Sequence, residues 1–151
     1  MGTASGNPEN DREGIKMRKI YSKVDEELLL HMINTIDEIT QKRMDISPPE
    51  QYLQVACFEM PKGKTFIPHK HKTQMRTSDI CQESWVVISG QIKAILYDID
   101  DTIREEVILN PGDISITFRG GHNYLSMEDG TVVYEYKTGP YHGRDADKEE
   151  I

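Results

Sequence analysis

From Tyr52 to Lys137 apolar and polar residues alternate with a period of two, in short runs broken by turn residues. No other feature constrains the fold as much, because side chains that alternate in this way are sorted onto two faces by a strand and not by a helix. The pattern predicts strands over Tyr52–Met60, Thr65–His71, Glu83–Ser89, Gln91–Asp98, Thr102–Leu109, Asp113–Phe118, Asn123–Met127 and Thr131–Lys137. Between them stand Pro61-Lys62-Gly63, Ser89-Gly90, Asp98 to Asp101, Asn110-Pro111-Gly112-Asp113, Gly120-Gly121 and Glu128-Asp129-Gly130, all with turn chemistry. Many short strands at this spacing predict an all-β sandwich or barrel of jelly-roll type. Ahead of them, Val24, Leu28, Leu29, Met32, Ile33, Ile36 and Ile39 recur at three- and four-residue steps. Ser22 with Asp25 resembles a capping box, and Pro48-Pro49 forms a stop, so an N-terminal α-helix is expected over about 22–44.

At 151 residues the chain has room for one domain, expected over 16–141. Residues 1–15, with almost no apolar side chain, read as a disordered arm or an expression remnant, and 142–151 as a polar C-terminal tail. A net charge of −8 without a clustered basic face argues against nucleic acid or an anionic membrane as partner. The longest stretches free of acidic and basic side chains, Leu28–Ile36 and Ser84–Ile92, cover nine residues each. A spanning helix needs ~20. With no apolar leader in Met1–Ile15, the expected location is cytoplasmic, and Cys57 and Cys81 are expected as free thiols.

His69 and His71, two apart on an expected strand, project from one face and form a two-imidazole grip for a metal. Glu83 opens a strand whose same-face neighbours are Trp85 and Val87, and a carboxylate entering a buried face needs a partner. His122 follows Gly120-Gly121, where a returning strand reaches the same cavity. Three nitrogens and one oxygen suit one divalent transition metal, Fe, Mn, Ni or Zn, with positions open for water or substrate. Arg76, Arg119 and Tyr124 lie beside the expected mouth, and Tyr134 alternates inward; these are the candidates for contacting a small polar ligand. His31, inside the helical pattern, reads as a packing residue, and His142 as a surface residue of the tail.

The run Gly63-x5-His69-x-His71-x11-Glu83-x6-Gly90 resembles the first cupin motif, and Pro111-Gly112-Asp113 followed by Gly120 and His122 resembles the second. Within the cupins the chain is most similar to WbuC-type cupin fold metalloproteins and related sugar-biosynthesis cupins, through Trp85-Val86-Val87-Ile88-Ser89-Gly90 and Gly130 to Tyr141 with Asp147-Lys148 beyond. The resemblance implies a double-stranded β-helix with His69, His71, Glu83 and His122 directed into the barrel. Three departures stand out. Lys72–Gln82 is far longer than the family's gap, Phe118 takes the place of the motif's proline with His122 one residue early, and Ser126 replaces its asparagine.

The resulting expectation is a metal-dependent cupin enzyme of unspecified catalytic residues acting on a small polar substrate, in nucleotide-sugar or surface-polysaccharide metabolism. The competing readings are a non-catalytic metal-stabilised sensor and a metal-free sugar isomerase or epimerase with His71 or His122 as general acid or base. A homodimer is expected from the sheet edges, with Tyr52–Met60 as the pairing strand. Lys72–Gln82 is expected to be a lid over the mouth.

Overall fold

A computed structural model describes residues 17–151. The expected arm, 1–15, lies outside the described residues. The described residues form ten strands: β1 (Arg18–Tyr21), β2 (Leu29–Asn34), β3 (Arg43–Asp45), β4 (Ala56–Phe58), β5 (Glu83–Ser89), β6 (Ile92–Tyr97), β7 (Ile103–Leu109), β8 (Ile114–Thr117), β9 (His122–Ser126) and β10 (Val132–Lys137). A single helical turn, α1 (Arg144–Asp147), follows. The strands form three antiparallel sheets: five strands in the order β1-β2-β8-β5-β10, three in the order β7-β6-β9, and the β3–β4 pair. The fold is therefore all-β. No helix among the described residues is long and apolar enough to cross a membrane.

The five-stranded sheet is covered on both sides. Ile20, Ile33 and Val87 pack against Ile92, Ala94, Leu96 and Leu109 of the three-stranded sheet. On the opposite face Met32, Ile114 and Ile116 join Ile46 and Phe118, with Leu53, Val55 and Cys57 alongside. Leu30, Met32 and Ile116 are wholly buried, and each contributes about 1.5–3 kcal/mol through removal from water.

This double cover corrects the expected N-terminal helix. Every residue of β2 is buried, so its apolar side chains fall on both faces without alternation, and a helical stripe can also be drawn through them. The capping signal at Ser22 is real but local. Its hydroxyl accepts from the amides of Val24 (2.9 Å) and Asp25 (3.0 Å) and donates to Asp98 (2.5 Å), holding a turn that continues as a strand. Between β2 and β3 only Ile36–Glu38 is helical, as a 3-10 turn.

Strands β5 to β10 lie where the alternation predicts them, within one residue at each end. Tyr52–Met60 forms a strand over Ala56–Phe58 alone, paired with β3 of the same chain. Thr65–His71 is not a strand. It belongs to an exposed segment, 59–79, without regular structure. The polar tail is folded in part, since Asp147 pairs with Lys137 at 3.2 Å and Ile151 lies against Gly121, where a Cβ would come within 2.8 Å of Ile151 Cδ1. Its charges are thus used to hold it onto the sheets.

Candidate functional site

The register of the five-stranded sheet sets His31 of β2 opposite Thr117 of β8, Thr117 opposite Glu83 of β5, and Glu83 opposite Lys137 of β10. Directly paired residues share a face, so these four polar side chains form one row across the sheet. The next row on that face contains Ile33, Ser115, Trp85 and Glu135. From the three-stranded sheet, His122 and Tyr124 of β9 meet the two rows.

The contact between the sheets is polar at its centre. Glu83 Oε1 lies 3.0 Å from His122 Nε2 and accepts the indole N–H of Trp85 at 2.6 Å. Because a carboxylate only accepts, His122 carries its proton on Nε2, and its buried Nδ1 has no hydrogen-bond partner among the described residues. Burial alone raises the pKa of Glu83, yet the hydrogen bond and charge of His122, the indole N–H and the charge of Lys148 together outweigh it, so the carboxyl is held below its ordinary range. Trp85 stacks on Tyr124 with ring centroids 4.1 Å apart and planes inclined by 18°, and the ring of His122 lies 5.4 Å from that of Tyr124. The Tyr124 hydroxyl donates to Ser115 at 3.1 Å, and burial pushes its ionisation upward, so it remains a neutral phenol.

Behind this pair lies His31, fully buried, with Nε2 2.8 Å from the carbonyl of Tyr97 and Nδ1 3.0 Å from the Thr117 hydroxyl. Burial, with the nearby His122, lowers its pKa from 6.5 to about 4. Gly120 makes the approach of the loop to Tyr97 feasible, since its φ is 74° and a Cβ there would stand 2.4 Å from the Tyr97 carbonyl oxygen.

Glu83, Thr117 and His122 open onto a cleft of about 230 Å³, whose walls also include Cys81 and Gly120-Gly121. Asp147, Lys148, Glu149 and Ile151 form its remaining side, so the C-terminal segment is a wall of the cleft. That segment is latched at Lys137, whose ammonium sits 3.2 Å from Asp147, 3.4 Å from Glu135 and 4.2 Å above the ring of Tyr141. Cys57 and Cys81 are both free. Burial and then the neighbouring Asp147 raise the pKa of the Cys81 thiol, which is the opposite of what an activated nucleophile needs.

Of the four residues expected to hold a metal, the structure brings Glu83 and His122 together. His69 and His71 stand apart from the cleft on the exposed segment, as a pair with ring centroids 5.7 Å apart. Among the described residues no group of three or more His, Cys, Asp or Glu side chains is placed to hold a metal ion. The donor chemistry nevertheless suits a cation. The His69 Nδ1–H donates to the carbonyl of Ile67 at 2.9 Å, which leaves Nε2 with its lone pair, the arrangement metal-binding imidazoles use.

Tyr124 stacks on Trp85 and lies beside His122 but does not line the cleft. Arg119 is turned back onto the carbonyl of Phe118 at 2.9 Å. Arg76 lines a different cleft, with Gln51 and Tyr52, and Tyr134 is exposed on β10 beside Tyr136. Sequence reasoning missed His31, Thr117, Ser115 and the C-terminal wall. The signal for the first was available once β2 is read as a strand, because His31 is then the one imidazole in an otherwise buried central strand.

Comparison with protein-family models, with curated proteins and with solved structures gives no match.

Proposed function

We propose that the chain is a metal-binding cupin that acts on a small polar substrate, of the kind handled in nucleotide-sugar or surface-polysaccharide metabolism. The observation that carries the reading is the Glu83–His122 pair at 3.0 Å on the wall of a partly closed cleft. A buried carboxylate joined to an imidazole whose Nδ1 has no hydrogen-bond partner among the described residues is half of a cation site, and His69 and His71 supply two further nitrogens of the right type. The reading requires the exposed segment before β5 to fold in and bring those imidazoles to the cleft. A bound divalent cation would act there as a Lewis acid or oxygen-activating centre.

Elemental analysis of untagged protein tests it. Close to one Fe, Mn, Ni or Zn per chain, lost in His69→Ala with His71→Ala, is the expected result. Stoichiometric metal retained in that double variant would move the site elsewhere.

One observation favours a second reading. Glu83 already orients His122 as a carboxylate orients a general base, with the Tyr124 phenol beside it, so the dyad is poised for metal-free proton transfer in a sugar isomerase or epimerase. Activity on a sugar substrate that withstands chelator but not His122→Ala would select this reading.

A further inference from the structure

His31 belongs to neither reading, although it is the most deeply buried titratable group beside the cleft. Its two hydrogen bonds fix its tautomer. The Tyr97 carbonyl can only accept, so Nε2 must carry the proton. Burial disfavours a second proton, which leaves Nδ1 as an acceptor at neutral pH. The Thr117 hydroxyl, 3.0 Å away, is therefore the donor in that bond.

A hydroxyl has one proton and two lone pairs. With its proton committed to His31, Thr117 has only lone pairs to offer to its other neighbours, the Tyr124 hydroxyl and the cleft it lines. An unconstrained threonine rotates to donate or accept as a ligand demands; this one has lost the choice. Its neighbour across the sheet is Glu83, whose carboxylate already accepts from His122 and Trp85.

We propose that Thr117 is a specificity-determining residue that accepts a hydrogen bond from a hydroxyl of a polyhydroxylated small molecule, and that His31 is the positioning residue that sets it as an acceptor. The proposal rests on reading the cleft as a small-polar-ligand site and names the class of ligand group that site prefers. Donors face two acceptors set side by side, whereas an ether or carbonyl oxygen at the same place meets lone pairs on both. Discrimination of that kind is strong because a mismatched polar group in a partly buried site has no water to fall back on.

The test uses the full chain labelled with 15N, at pH 7, with D-glucose as the probe and its fully O-methylated methyl glycoside as the donor-free control. In the wild type, long-range 1H–15N spectra should show His31 protonated at Nε2 and bare at Nδ1. Glucose should shift the amides of Glu83, Thr117 and His122, and the methylated control should not. Thr117→Val, which keeps the shape, should bind glucose about tenfold more weakly and move the His31 Nδ1 resonance downfield, toward that of an unbonded nitrogen. Thr117→Ser should restore both.

A His31 protonated at Nδ1, or an Nδ1 resonance unmoved in Thr117→Val, overturns the positioning role whether or not any ligand binds. Equal binding of glucose by wild type and Thr117→Val overturns the role of Thr117 while leaving the cleft as a polar-ligand site. Cleft amides that glucose leaves unmoved in the wild type overturn the reading of the cleft and the inference together.

Discussion

The carboxylate of Glu83 and the imidazole of His122 come from different sheets and meet at 3.0 Å. Their contact joins the five-stranded and three-stranded sheets by an ion-pairing geometry, as that of Arg18 with Glu105 also does, while the core between the sheets is held by aliphatic side chains. Removing the carboxylate leaves the Trp85 indole and His122 Nε2 without their acceptor. Glu83→Ala is expected to destabilise the chain by about 2–3 kcal/mol in urea unfolding, and Glu83→Gln, which keeps an acceptor, by less. Equal losses in the two variants would show that volume, and not hydrogen bonding, is what Glu83 contributes.

Acidification should weaken the fold before most carboxylates are protonated. His31 takes a proton near pH 4 when folded and near its ordinary 6.5 when unfolded, so between those values the unfolded chain holds more protons. Stability is then lost as pH falls from 6.5 toward 4, by about 3 kcal/mol from this group, with no change from it above 6.5. The lowered carboxyl of Glu83 acts in the same direction at lower pH: its contribution is present above its unfolded pKa and lost as pH falls through the folded one. Urea midpoints at pH 7, 5.5 and 4.5 measure the slope; a flat profile down to pH 5 would contradict the buried neutral imidazole.

Deleting residues 144–151 should open the cleft without unfolding the sheets. The segment lines the same cleft as Cys81, and Asp147 adds to the burial that raises the pKa of that thiol. The truncated chain, with Cys57→Ser to silence the other thiol, is therefore expected to react several-fold faster with iodoacetamide at pH 8. An unchanged rate would mean that the C-terminal wall does not control access.

Replacing Lys72–Asp79 by a short Gly-Ser link should change the melting temperature by no more than about 2 °C, because these side chains are exposed and the only hydrogen bonds of Ser78 run to neighbouring Ile80. The structural anchor of the segment is Gln82, which is buried and bonded to Leu53, Gln51 and Thr138. If the segment is a lid, ligand binding disappears while metal content stays. A failure to fold would mark it as a brace.

The legible and illegible parts of the chain differ in how their surroundings are supplied. Strands β6 and β7 present one face to a neighbouring sheet and one outward, so their environment is written in their own alternation. β2 is buried by elements far along the chain on both sides, and nothing local distinguishes it from a helix of the same composition. The candidate site divides the same way. Glu83 and His122 stand at strand starts, His122 directly after Gly120-Gly121, where spacing makes them visible. Thr117 and Ser115 are small hydroxyl residues in a β-run, and their meaning comes only from what lies opposite them. The tail misleads by composition: Asp147 and Lys148 look solvated until Lys137 is found beneath them.

The row from His31 to Lys137 crosses the sheet that bears the cores on both of its faces, and this divides the freedom to change very unevenly. A substitution at His31, Thr117 or Glu83 perturbs ligand chemistry and the most enclosed strands at once, so any new preference introduced there is coupled to a loss of fold. The C-terminal wall carries no such burden. A library spread over Lys148, Glu149 and Ile151 should yield folded variants with altered ligand choice far more often than one spread over the row. In this architecture the acceptors are the fixed grammar of the site, and the surfaces opposite them are where its vocabulary can vary.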